Sequence, residues 1–397
     1  MTGSTTRRRI LQIGGGAVLV AAGGLIWRGY ERGVFTEPSG APFEPWAMWN
    51  APEYKGTAVA LVAAGVLAAN PHNTQPWIFR VSDSRIDVYA DTRRNLGSFD
   101  PYLREMHIGL GCAIENMVLA GPANGYAVTA EPAPGSLLDI ENREAPVAAA
   151  TLHLVRAEGE PDALYDAIPK RHTNRGPYEP ARGFPALDAL LSLRPDADTK
   201  LILFPGGDGK AALGDAIVAA TAEIVADHEM IEDSHRWFRD GPDELARERS
   251  GLALDTAGLP PVILAGAKML PALPAEQSHA AWLDQTRDTH VPSAALLGLI
   301  AVRERYARPQ ALGAGRLWQR VHLAASAAGL AMHPLNQPVE TIDRERQRNG
   351  EPASEARLAA ITGEPDWQPT FVFRGGYGKR EAPASARRGV EDVIRES

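Results

Sequence analysis

The sequence predicts an α+β chain built as two similar halves, each a sheet flanked by helices, and three observations point there. An apolar run at Thr57–Ala69 (TAVALVAAGVLAA) stops at the Asn70-Pro71 break, and the strand-like runs IFRV and DVYA follow it. Sliding the chain on itself by 204 residues aligns Gly109–Thr129 (GLGCAIENMVLAGPANGYAVT) with Gly313–His333 (GAGRLWQRVHLAASAAGLAMH), and seven of 21 positions are identical. Chance in Ala/Gly-rich sequence gives about two to three. Each copy is also followed by a strand-like segment, ATLHLV from Ala150 and PTFVFR from Pro369.

The first 35 residues read as a targeting segment. Thr6-Arg7-Arg8-Arg9-Ile10-Leu11-Gln12 fits a twin-arginine export signal: two arginines, a spacer, two apolar residues, then a polar one. The apolar, Gly-rich stretch Ile13–Trp27 follows and is short for a membrane span, which needs about twenty apolar residues. No Ala-x-Ala site follows, so an uncleaved N-terminal anchor is the alternative; no Cys there marks a lipoprotein. The expected location is therefore the periplasm or cell envelope, with the twin-arginine machinery as a partner. Residues 36–55 are Pro-rich and read as a linker or an arm across the body.

Residues 56–160 form the first predicted half and 161–397 the second. Within the first lies NPHNTQPW (Asn70–Trp77). Carboxamides such as Asn73 and Gln75 match an alternating row of donors and acceptors with one side chain, Pro76 stiffens the loop, and Trp77 offers a flat apolar wall. About a hundred residues later comes RHTNR (Arg171, His172, Thr173, Asn174, Arg175). Its arginines are forked donors suited to phosphate, and Thr173 adds a hydroxyl. Each motif has a plainer reading: a helix end before a buried Trp, and a solvated basic turn.

The order helix, carboxamide loop, strand resembles the nitroreductase-like flavoproteins, whose Pro-Ser-x-x-Asn-Ser/Thr-Gln-Pro-Trp loop faces the isoalloxazine ring. RHTNRGPY resembles the same family's Arg-x-Ser-x-Arg-x-Phe phosphate motif, with Thr173 for Ser and Tyr178 near the Phe position. His72 stands where the family has Ser. After the second long helix, HPLNQPVE is similar to the family's Pro-Ile-Glu-Gly-Phe turn, whose backbone N–H meets flavin N5. The resemblance covers most of residues 56–390 and is nearest the Acg-like branch.

It implies a flavin mononucleotide (FMN) site with Pro71, His72, Asn73 and Gln75 from the loop, the five residues 171–175, and His333, Pro334, Leu335 and Asn336. A further cation comes from the tail Arg374, Lys379, Arg380, Arg387 and Arg388, with Arg387 or Arg388 favoured over a merely solvated basic tail. Nitroreductases are usually homodimers sharing each flavin across subunits. Here the first half keeps only the carboxamide loop and the second only the phosphate motif, which implies a fused, diverged homodimer holding one flavin, a monomer acting as a pseudo-dimer. The implied activity is electron transfer from NAD(P)H through FMN to a nitroaromatic, quinone or similar small-molecule acceptor, with no side-chain catalyst required. The alternative is a flavin-sequestering protein with a closed lid.

That lid is expected at residues 228–312. Leu213, Ile217, Ile224, Val225 and Ile231 recur at helical spacing before and into it. Asp227, His228, Glu229, Asp233 and His235 match no metal-ligand spacing and read as a solvated acidic face. Gly206–Lys210 is too short for a P-loop and lacks a Ser or Thr after the Lys. The lone Cys112 forms no internal disulfide and reads as packing. The net charge is −8 although five arginines and one glutamate lie in the first 35 residues, so the body is more acidic still, which disfavours nucleic acid. No G-x-S-x-G elbow supports a hydrolase.

Overall fold

A computed structural model describes residues 26–396 apart from 142, 186, 194 and 195. The Thr6–Gln12 export motif lies outside the described residues. In the first half, α1 (Ala58–Gly65) is buried on nearly every side, as an all-apolar helix must be. It gives way to the Asn70–Gln75 loop, then β1 (Trp77–Val81) and β2 (Arg85–Ala90), joined by a turn in which Ser82 N donates to Arg85 O at 2.8 Å. α2 (Arg104–Ala123) crosses the core and is followed by β3 (Tyr126–Pro132) and β4 (Val147–Arg156). The sheet is antiparallel throughout, in the order β1-β2-β4-β3.

In the second half, β5 (Thr199–Phe204) leads into α3 (Gly207–Ala226) and α4 (His228–His235). Asp227 breaks the two helices apart and accepts from Met230 N at 3.4 Å as the cap of α4. Past two short paired strands come α5 (Pro261–Met269) and α6 (Ala275–Gln285), then β6 (Leu296–Val302), α7 (Arg308–Ala327), β7 (Ala331–Pro334), α8 (Gln337–Gln347) and β8 (Gln368–Gly376). The order β5-β6-β8-β7 is again antiparallel and repeats that of the first sheet. The molecule is thus a mixed α+β fold.

One boundary needs correction. Residues 296–312, expected in the lid, are β6 and the start of α7. β6 is buried at all seven positions, in the middle of its sheet, so it reads as an unbroken apolar run (LLGLIAV) instead of an alternating strand. The insertion ends near residue 295.

The halves meet where α2 crosses α7. A Cβ on Gly111 would run into the Leu312 carbonyl oxygen, and one on Gly315 into the Ile108 carbonyl, so only glycine permits this approach. Around the crossing, Gln319 Nε2 donates to Asn116 Oδ1 at 2.7 Å, and the fully buried Glu115 accepts from Arg316 Nε at 2.7 Å and Arg320 Nε at 2.6 Å. Cys112 Sγ, also buried, donates to Gly315 O at 3.2 Å.

Candidate functional site

Beside this crossing lies a cavity of about 1320 Å³. Its floor is apolar: Ile108, Gly109 and Cys112 of α2, Trp318 of α7 and Phe371 of β8. Asn70, Pro71, His72, Thr173, Arg175, His333 and Pro334 form the walls, and residues between 234 and 290 of the insertion form the roof.

The Asn70–Gln75 loop is tightly wound. His72, Asn73 and Gln75 hold φ of 46°, 55° and 50°, left-handed values rare outside glycine, and Asn70 Oδ1 holds the turn by accepting from Gln75 N at 2.8 Å. This winding turns the two carboxamides away from the cavity. Asn73 Nδ2 donates to Gly251 O at 3.1 Å and Ala386 O at 2.9 Å, while its Oδ1 accepts from Arg387 Nη1 at 2.6 Å. Gln75 Nε2 donates to Arg249 O at 2.8 Å, and its Oε1 accepts from Arg388 N at 2.7 Å. The expectation that both face a ring edge is therefore corrected: peptide groups of the insertion and tail, together with the Arg387 guanidinium, satisfy them. From this loop, Asn70, Pro71 and His72 reach the cavity. His72 Nε2 lies 2.9 Å from Ser234 Oγ, and burial, with Arg175 nearby, pushes its pKa down to about 3.

Four arginines lie at or behind the cavity wall with no carboxylate partner among the described residues: Arg175 is half-buried on the wall, and Arg171, Arg374 and Arg387 are buried behind it. Arg171 donates through Nη2 to Leu67 O at 3.1 Å and leaves Nε without a partner. Arg387 stacks on Trp46 at 4.9 Å, bonds Asn73, Ser385 and Ala68, and also leaves Nε unpartnered. Arg175, on the cavity wall, donates to Thr256 O at 3.3 Å. Arg374 is fully buried over the Tyr178 ring, and its guanidinium binds His333 Nδ1 at 3.1 Å, His290 O at 3.1 Å, Ser293 Oγ at 3.2 Å, Gly176 O at 2.8 Å and Asn174 O at 3.4 Å. Burial draws Arg171 and Arg175 down to about 10 and lowers Arg374 and Arg387 as well. A buried cation without a counter-charge is costly, so the cluster suits an anionic group.

Other expected site residues hold the frame. His172 packs edge-on to Trp46 at 4.6 Å, its pKa pushed down to about 3 by burial and by Arg171 and Arg387. Asn174 is a turn-holder: Nδ2 donates to Arg380 O at 2.7 Å and Oδ1 accepts from Gly176 N at 3.0 Å. Arg388 clamps the carboxamide loop through Gln75 O at 3.3 Å. Leu335 belongs to the second hydrophobic core, and its N–H donates to Val372 O at 2.8 Å, so that amide is not free to meet a flavin N5. Asp227 and Glu229 bind Arg344, and Asp233 takes Ser98 N and Oγ at 2.7 Å.

Sequence reasoning missed His290, Glu105 and Glu340, and it named Arg374 only as one of several tail cations. His290 closes a π-helical turn (Thr286–His290) and packs edge-on to His333 at 4.8 Å. Glu105 and Glu340 meet at the cavity wall from residues 235 apart. Asn336 Nδ2 donates to Glu105 Oε1, and Glu340 Oε2 has no partner. Burial raises Glu105 to about 7 and lifts Glu340 well above the usual carboxylate range, with the facing Glu105 carboxylate adding to the second.

The donor set fits FMN at its phosphate end, where unpartnered guanidinium N–H groups lie, and an apolar floor with flat side walls suits the ring. The carboxamide edge expected for the pyrimidine side does not face the cavity.

No family model matches the chain. A protein of Mycobacterium tuberculosis (strain CDC 1551 / Oshkosh), provisionally named an NAD(P)H nitroreductase, is 28% identical over 349 residues, 85% of this chain and 91% of its own. Its counterpart in strain ATCC 25618 / H37Rv gives the same figures. Among solved structures, the FMN-dependent nitroreductase NfnB of Mycobacterium smegmatis in complex with NADPH matches 58% of this chain and 96% of its own at 17% identity, with TM-score 0.37. The FMN- and NADPH-dependent nitroreductase NfnB from sphigopyxis sp. strain HMH matches 59% of this chain and 99% of its own at 16% identity, with TM-score 0.39.

Proposed function

We propose that the chain is an FMN-dependent oxidoreductase of the nitroreductase type that takes electrons from NAD(P)H and passes them to a nitroaromatic, quinone or similar small acceptor. The observation that carries the reading is the set of arginines without carboxylate partners, Arg175 on the wall of the apolar cavity and Arg171, Arg374 and Arg387 buried behind it, and the two relatives at 28% identity carry the matching name. FMN when bound supplies hydride chemistry. Arg171, Arg175 and Arg387 would hold its phosphate, with Thr173 beside them. Trp318, Phe371 and Ile108 keep the floor dry, and His72 and His333 stand neutral at its side. Glu105 and Glu340 hold a proton between them at the wall, since two facing buried carboxylates disfavour double ionisation.

The chain also reads as a fused, diverged pair with one flavin. The shared strand order supports this, as does the α2–α7 crossing, where Ile108 and Leu312, like Gly111 and Gly315, are 204 residues apart, the spacing of the internal repeat. Export by the twin-arginine route is part of the proposal and rests on Thr6–Gln12.

A second reading, flavin sequestration, is favoured by the roof: Trp282, His279 and Phe238 pack over the cavity. Anaerobic mixing with NADPH separates the two. The oxidoreductase should be purified yellow with about one FMN per chain and bleach on mixing. A yellow protein that never bleaches is a flavin store; two FMN per chain would rule out the fused pair with one site.

A further inference from the structure

The surface carries an apolar face that the redox reading does not use. Residues 26–31 are helical, and Ile26, Trp27, Tyr30 and Phe35 stand exposed, Trp27 at 66%. Against this helix lies α5 of the insertion with its following turn, exposing Val262 at 82% together with Ile263, Leu270 and Leu273. The two segments are fastened together. Arg28 Nε donates to Met269 O at 2.9 Å, Arg32 Nε to Lys268 O at 3.1 Å, and Lys268 Nζ to Gly33 O at 2.8 Å. Eight large apolar side chains on one tied unit exceed the scattered exposure normal for a soluble surface.

We propose that this face docks on a lipid bilayer, entering the interfacial layer without spanning it. Three observations favour lipid as the occupant. The face begins where the apolar run Ile13–Trp27 ends, so the same stretch of chain enters it. Trp27 and Tyr30 are the residue types that settle at the membrane–water boundary, with Arg28 beside them on a long stem. The ionic groups around the face largely cancel: Arg32 pairs with Asp240 and Lys268 with Asp255 at 2.6 Å, while Arg28 and Glu31 on the helix carry opposite charges. Docking is thus driven by apolar area, as for an amphipathic interfacial helix. Among the described residues no helix is long and apolar enough to cross a membrane. Ile263, Leu270 and Leu273 also line the outer part of the cavity, so a docked molecule opens its cavity toward the acyl chains.

The test uses the full chain with an environment-sensitive fluorophore on Val262→Cys, and on Val155→Cys, an exposed site on β4, as control. Cys112 is buried with its thiol pKa pushed up, so it does not compete for label. With phosphatidylcholine vesicles, the label at 262 should brighten and shift to the blue, unchanged by salt, while the label at 155 stays as it was. No response at 262, an equal response at 155, or a response at 262 that grows with protein concentration without vesicles would each overturn the proposal, the last by pointing to a second copy of the chain. In vesicle co-sedimentation, the combined variant Val262→Ser, Ile263→Ser, Leu270→Ser, Leu273→Ser should lose at least tenfold in partitioning. Partitioning equal to the parent would show that the N-terminal run alone binds lipid. These readouts need no flavin, so their failure is distinct from failure of the redox reading.

Discussion

Replacing Arg171 by Met should make the flavin-free protein more stable and the flavin complex weaker. Burial draws this guanidinium from 12.5 to about 10, a penalty on the charged form of about 3 kcal/mol at ~1.4 kcal/mol per pH unit. Met removes that penalty and forfeits one bond to Leu67 O, worth about 1 kcal/mol. The net gain is about 1–2 kcal/mol, a few °C in Tm for a chain of this size. Toward FMN the same change loses a charge-assisted contact of about 1.5–3 kcal/mol, which raises Kd roughly 10- to 150-fold. Melting with and without FMN, and titration of FMN fluorescence, read both signs. Arg175→Met should behave alike, since its one bond goes to Thr256 O at 3.3 Å. Arg374→Met should instead destabilise both forms, because five acceptors around it lose their donor. An Arg171→Met protein that melts lower and binds FMN as before would refute the reasoning.

Three further outcomes follow from the packing and the buried ionisable groups. Gly111→Ala should destabilise by about 2–5 kcal/mol in urea titration, because its Cβ meets the Leu312 carbonyl across a rigid helix crossing; a neutral effect would mean the helices can part. His107 is fully buried, with its pKa lowered from 6.5 to about 4 by burial, and His290, His322 and His333 are lowered too. Depressed folded values mean stability is present above about pH 6.5 and lost as pH falls toward 4, so the urea midpoint should fall steeply there and His107→Gln should flatten part of that slope. Glu105 has the opposite sign: its folded value rises from 4.5 to about 7, so its stability is present below about 4.5 and lost as pH rises through 7. Glu105→Gln should gain on the parent at pH 8 relative to pH 5, and an equal difference at both would sink that assignment.

The run of elements from α1 through the Asn70–Gln75 loop to β2 is legible in the sequence because each carries its own local signal: an all-apolar helix, a Pro break, alternating strands. The meeting of Gly111 with Gly315 is also foreshadowed, since both glycines match in the 204-residue offset. β6 was lost because a short apolar run has no periodicity to separate a central strand from a lid segment. The Glu105–Glu340 pair could not be seen because nothing local marks two glutamates that only the tertiary fold brings together. The direction of Asn73 and Gln75 was misjudged for a different reason. Residue type gives a carboxamide's hydrogen-bonding capacity, but three left-handed φ values decide where it points.

Those two carboxamides have a different task in this fold. Asn73 Nδ2 donates to Gly251 O while Gly251 N returns a bond to Asn73 O at 3.0 Å, and Gln75 Nε2 holds Arg249 O. Arg249 and Gly251 sit at φ of 48° and 87°, in a sharp turn that leads from the first part of the roof to the second. The loop expected to face the flavin thus ties down the 249–251 turn of the roof. Two side-chain bonds at about 1 kcal/mol each correspond to roughly a 30-fold shift in the closed-to-open balance. Asn73→Ala with Gln75→Ala should therefore speed entry of FMN into the flavin-free protein, and of NADPH into the loaded one, by roughly that factor in stopped flow, provided opening limits entry. FMN affinity would change little where both association and release accelerate. If the double variant instead binds FMN far more weakly at an unchanged association rate, the amides act on the ligand itself and not on the roof.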